Sequence, residues 1–177
     1  MPLVLQHRPA ATPTSTSGLA PPPVHRRAPS HAACTATALR APLAIYDPLA
    51  DHRPDEVRCP DWARPIEPPI QEIATDDCNY ASLGQPSLRP LIAGERVVVE
   101  FWHLQLWSEE PAEAHVALFI GDWMVFEDHI AVPGDEAFYA PSAVVPVDMP
   151  TGTPVVFHLH NHGQNSWRLL RVDRLAP

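Results

Sequence analysis

The stretch AHVALFIGDWMVFEDHIAV, residues 114–132, decides the fold class. Its two arms are rich in β-branched and aromatic side chains and flank Gly121-Asp122, a two-residue connection with glycine first, which is a hairpin signal. Strict pairing about that turn puts Ile120 opposite Trp123 and His115 opposite Asp128. Ala114, Val116, Leu118 and Ile120 then share a face with Trp123, Val125, Glu127 and His129, whereas His115, Ala117 and Phe119 share the other with Met124, Phe126 and Asp128. The first face reads as core near the turn, and opposite charges at His115 and Asp128 can pair across the strands.

Working outward, RVVVEFWHLQLW (96–107) is apolar on both faces, as a central strand is. PVVFHLH (154–160) and SWRLLRV (166–172) flank the five-residue loop NHGQN. A hairpin register that opposes Leu159 to Trp167 and Phe157 to Leu169 keeps the apolar residues together, with His158, His160, Ser166 and Arg168 on the opposite face. ARPIEPPIQEI (63–73) suits an edge or a lead-in, because proline lacks a ladder donor. No stretch shows helical periodicity of ordinary length. Short strands separated by Pro, Gly and Asp predict an all-β fold: an antiparallel β-sandwich of jelly-roll type over residues 57–177.

Residues 1–56 read as a disordered tail rich in Pro, Ala and Arg, with too few large apolar side chains to offset its ordering entropy. Residues 1–44 hold four Arg and no acid; the other eight Arg and all 21 acids follow, and Lys is absent. An acidic body of this kind repels phosphate, so nucleic acid is not an expected partner. MPLVLQ is too short for the apolar centre of a secretory signal, and no apolar run approaches the length of a transmembrane helix. Of the three cysteines, Cys59 and Cys78 lie in turn-like contexts, RCPDW and DDCNY, and are expected to be bonded. A loop of that size stabilises by about 3 kcal/mol in the chain-entropy model. Such a bond implies an oxidising, extracytoplasmic compartment; free thiols would suit the cytoplasm.

His158 and His160 alternate on one strand, so both imidazoles point to the same side about 6.5–7 Å apart. With a third imidazole from His103 or His115 they form the donor set of an open zinc site, and copper or iron also accepts imidazole. The stretch PTGTPVVFHLHNHG resembles the last strand of cupredoxin and multicopper-oxidase domains, but Leu159 stands where those need a metal-binding neighbour and no Cys or Met follows. Cupins also carry His-x-His, followed by a Glu that residues 161–165 do not supply.

A different reading takes the loop. Asn161, His162, Gln164, Asn165, Trp167 and Arg168 combine carboxamides, a guanidinium and a stacking ring, which suits a polar small molecule or a glycan. In size and strand pattern residues 59–177 resemble carbohydrate-binding modules and galactose-binding-like jelly rolls, and the whole resembles bacterial secreted and lipoprotein β-sandwiches. What that resemblance implies is a non-enzymatic ligand-binding or accessory domain that needs no cofactor. No Gly-x-Ser-x-Gly elbow, P-loop, Rossmann glycine pattern or His-Glu-x-x-His occurs. The plainest alternative leaves the same residues to turn chemistry and packing: Asn161 and Asn165 in left-handed turns, Gly163 at positive φ, Trp167 on Leu159.

Overall fold

A computed structural model describes residues 46–175. It is an antiparallel β-sandwich of jelly-roll type. The strands are β1 (Ile66–Glu67), β2 (Ile70–Ala74), β3 (Tyr80–Pro86), β4 (Arg96–His103), β5 (Ala112–Ile120), β6 (Trp123–Val132), β7 (Ala137–Tyr139), β8 (Ser142–Val144), β9 (Pro154–Asn161) and β10 (Ser166–Leu175). The first sheet runs β1-β2-β10-β4-β7, with β8 also paired to β4; the second runs β3-β9-β5-β6. From β2 onward the chain switches sheets at almost every connection, and only the β5–β6 hairpin pairs consecutive strands.

The inner faces meet in one core. Val97, Val99, Phe101, Trp167 and Leu169 of the first sheet pack against Val116, Leu118, Ile120, Phe157 and Leu159 of the second, all buried. Strand β4 is central as expected, buried at every second residue. The proline-rich lead-in forms the edge pair β1–β2. Cys59 and Cys78 are bonded, tying the lead-in to the start of β3. Among the described residues no helix is long and apolar enough to cross a membrane.

Two registers differ from the sequence reading. Gly121 adopts a positive φ of 57° at the expected turn, and Ile120 and Phe119 pair with Trp123 and Met124 as anticipated. One residue is then bulged out, so that Leu118 pairs with Phe126 and His115 with His129. A one-residue bulge swaps the faces of everything beyond it. Phe126 turns inward to stack on Phe101, ring centroids 5.3 Å apart, and Glu127 and His129 turn outward to join His115. Val125 and Phe126 both contribute to the core, which explains why the bulge is stable there.

The second correction concerns 154–172. These strands are not a hairpin: β9 pairs with β3 and β5, β10 with β2 and β4. Leu159 and Trp167 do share the core, but across the sandwich. His158 and His160 therefore lie on the outer face of the second sheet, and Arg168 on the outer face of the first.

Residues 46–53, on the tail side of the expected boundary at 57, lie across the outer face of the second sheet. Tyr46 and Leu49 pack on Ala117, Phe119 and Val156, and a single 3-10 turn, Ala50–His52, follows. The disorder expected for residues 1–45 concerns positions outside the described residues.

Candidate functional site

Antiparallel pairing sets side chains of directly opposed residues on the same face, with neighbouring strands about 4.8 Å apart. On the outer face of the second sheet one such row runs Tyr80, His160, His115, His129 across all four strands. The next row runs Ser82, His158, Ala117, Glu127. From above, residues 46–53 bring His52 over this patch, its ring centroid 4.6 Å from His115, 4.8 Å from His160 and 5.9 Å from His158. His162 stands at the rim, 4.4 Å from His160. Six of the seven described histidines thus share one patch, which single cross-strand pairs do not explain.

The hydrogen bonding is incomplete in a patterned way. His158 has no solvent exposure, and His115 and His160 are buried. Neither ring nitrogen of His158 has a hydrogen-bond partner among the described residues, nor have His115 Nδ1, His160 Nε2 and the neighbouring Ser82 hydroxyl. Buried polar atoms are nearly always paired, and five of the eleven unpaired ones among the described residues lie in this patch. The remaining nitrogens are engaged: His115 Nε2 lies 2.8 Å from Glu127 Oε1, His160 Nδ1 lies 3.0 Å from His52 Nε2, and His129 Nδ1 lies 2.6 Å from Glu113 Oε1.

His158, His160 and His52 are held neutral. Burial pushes His158 down to about 3, with the nearby His115 adding to the shift. His160 is pushed down to about 4 by burial and by the neighbouring His162 and His52. His52 shifts downward too, through partial loss of hydration and then the charges of His115, His129 and His162. Neutral imidazoles offer lone pairs. One ligand nitrogen each from His52, His115 and His158 lie within 4.8 Å of one another, and so do donor atoms of His115, Glu127 and His129. Nitrogens around a tetrahedral zinc ion sit about 3.4 Å apart, somewhat closer than the 4.8 Å within which the first group lies.

The residues expected from sequence separate as follows. His115, His158 and His160 come together. His103 does not: it belongs to the first sheet, its Nδ1 2.8 Å from the Leu104 carbonyl, its Nε2 3.1 Å from the Tyr139 hydroxyl, its ring against Trp167. The six loop residues do not form one surface. Trp167 is a core residue, 1% exposed. Arg168 lies over the Trp102 ring at 4.9 Å and pairs with Glu72 at 2.9 Å on the far side of the sandwich. Asn161 is buried and donates to the Gly163 carbonyl. Asn165 takes the positive φ, 102°, and donates to the Gln105 carbonyl. Gly163 instead owes its identity to close packing: a Cβ there would lie 2.4 Å from a Val132 methyl. Gln164 and His162 are exposed, and only His162 touches the histidine patch.

Sequence reasoning missed His52, Glu127 and His129. The last two were readable as an alternating pair on β6 but were turned the wrong way by the unseen bulge. His52 carried no signal in a proline-rich segment 108 positions from His160.

A shallow cleft of about 500 Å³ opens on the outer face of the first sheet, lined by Trp102, His103, Glu136, Ala137, Phe138 and Leu170. Phe138 is 59% exposed there.

No family model matches the chain, and no curated protein sequence matches it. Among solved structures, one titled "CBM4 structure and function" aligns with 62% of this chain and 74% of its own, at 10% identity and a TM-score of 0.39.

Proposed function

We propose that this protein binds a divalent transition-metal ion, zinc foremost, through His52, His115 and His158. The observation that carries the reading is His158: a fully buried imidazole with both nitrogens unpaired, beside two further imidazoles whose ligand atoms lie within 4.8 Å. A set of three imidazoles suits zinc, copper, iron or nickel and disfavours the hard cations magnesium and calcium. His52 and His158, both shifted downward, bind without displacing a proton at pH 7. Three protein ligands leave a fourth position open, where zinc would hold water or an external ligand and lower the pKa of that water to about 7. The Cys59–Cys78 bond supports an extracytoplasmic setting.

The test is reconstitution of the full chain with zinc after chelation, followed by metal quantification. One equivalent is expected for the wild type and for His103→Ala, and none retained by His115→Ala or His158→Ala. Absence of zinc from the wild type, or retention by both of those variants, defeats the reading.

A second reading, recognition of a polar small molecule or glycan by a non-enzymatic domain, draws on a different surface from the loop. Trp102 and Phe138 line the cleft on the first sheet, with Glu136 beside them. Rings of that kind offer stacking faces to the apolar side of a sugar. Binding on a glycan panel that is lost in Trp102→Ala and Phe138→Ala supports it; indifference to both substitutions removes it.

A further inference from the structure

We propose that the metal site is also a latch: an ion held by His52, His115 and His158 fastens residues 46–53 onto the second sheet, and its removal lets them lift away. The inference rests on the metal reading above and concerns how that site is regulated.

Its basis is where the three ligands come from. His115 and His158 lie on β5 and β9, which are paired along seven residue positions, so they cannot part without breaking the sheet. His52 is different. It reaches the site only because its segment lies on the sheet, and that segment is lightly held. The turn Ala50–His52 contains no buried residue, and Asp51, His52 and Arg53 are exposed. Two tyrosine hydroxyls, the 3.0 Å contact of His52 Nε2 with His160 Nδ1 and the Arg53 guanidinium over the Tyr80 ring do the polar fastening. The Tyr46 hydroxyl lies 2.9 Å from the Gly121 carbonyl and 2.8 Å from Asp122 Oδ1. The Tyr80 hydroxyl lies 2.6 Å from Asp47 Oδ2 and 3.2 Å from the Leu49 carbonyl. Apolar contact is limited to Tyr46 and Leu49 on three sheet residues. Segments with few buried contacts open locally well before the sheets that carry them.

An ion that needs all three imidazoles prefers the closed arrangement. Linkage then requires that the ion favour closure by the factor 1 + [ion]/Kd, and that loosening the segment weaken ion binding in proportion to the closed fraction that is lost. The segment is thus coupled to metal supply without any rearrangement inside the sandwich.

Hydrogen exchange on the full chain tests this. The amides of Ala50, His52 and Arg53 donate to the carbonyls of Asp47, Leu49 and Ala50 only while the turn is formed. Zinc at a hundred times its Kd is expected to slow their exchange by up to about 100-fold, and to have no effect on them in His52→Ala. Tyr80→Phe, which removes a tether but no ligand, is expected to speed their exchange without metal and to lower zinc affinity by the factor by which the closed fraction falls. One equivalent of bound zinc with unchanged exchange overturns the latch and leaves the site standing. So does a Tyr80→Phe protein whose segment is mostly open without metal while its affinity holds. Failure of the wild type to bind zinc overturns both.

Discussion

Nε2 of His115 lies 2.8 Å from Oε1 of Glu127, and Nδ1 of the same ring is buried without a partner. A carboxylate that accepts the proton on one ring nitrogen leaves the other as a bare lone pair. Glu127 therefore selects the tautomer of His115 that can ligate, the arrangement by which carboxylates orient metal-binding histidines.

Replacing Glu127 with Ala is expected to weaken zinc binding by roughly 10–100-fold. Glu127→Gln, whose amide oxygen still accepts, falls less. Competition against a chromophoric chelator measures both, and an unchanged affinity in the alanine variant rules out the tautomer assignment.

Without metal, stability should decline in mild acid. His158 and His160 titrate near 3 and 4 in the folded chain, below the ordinary value of 6.5. The unfolded chain therefore takes up protons first as pH falls. Stability is complete above about pH 6.5 and drops between there and about pH 3, by up to roughly 1.4 kcal/mol per pH unit for each such histidine. Urea midpoints from pH 7 to 4 read the slope, and His158→Ala should flatten it. An equally steep slope in that variant places the effect elsewhere.

Gly163→Ala should be costly despite an ordinary backbone conformation. The added methyl meets Val132 at 2.4 Å and the Trp107 carbonyl at 3.0 Å. Overpacking of this kind destabilises by roughly 1–3 kcal/mol. The expected signature is a lower urea midpoint at constant slope; a wild-type midpoint would mean that Val132 moves aside freely.

Reduction of Cys59–Cys78 should remove about 3 kcal/mol, lowering the melting temperature on the order of 10 °C for a folded part of this size. Melts with and without a reductant give the difference, which should vanish in a Cys78→Ala protein. Equal melting of the oxidised and reduced wild type would assign the bond no role in stability.

Alternating apolar residues revealed which strands exist and which side chains face inward. Val155, Phe157, Leu159, Trp167 and Leu169 are core, as their periodicity implied. Alternation does not say which sheet a strand joins, since two apolar faces can meet across a sandwich as well as along a ladder. That is why β9 and β10 read as a hairpin. The histidine pair on β9 and its partner His115 were legible because each sits on a long, regular strand. Glu127 and His129 were not, because a bulge in β6 depends on whether Val125 and Phe126 can both find core space, a property of the opposing sheet. His52 was beyond reach for another reason: its position follows from two tyrosine hydroxyls, Tyr46 and Tyr80, that no local pattern connects.

Composition invites cutting the chain at residue 57, where proline-rich sequence gives way to strands. Such a fragment keeps all ten strands and the disulfide, yet lacks His52, the one proposed ligand supplied from outside the sheets. Assays on it would describe a patch with two of the three proposed ligands, His115 and His158, and no His52 above them. Expression boundaries for this protein belong upstream of Tyr46.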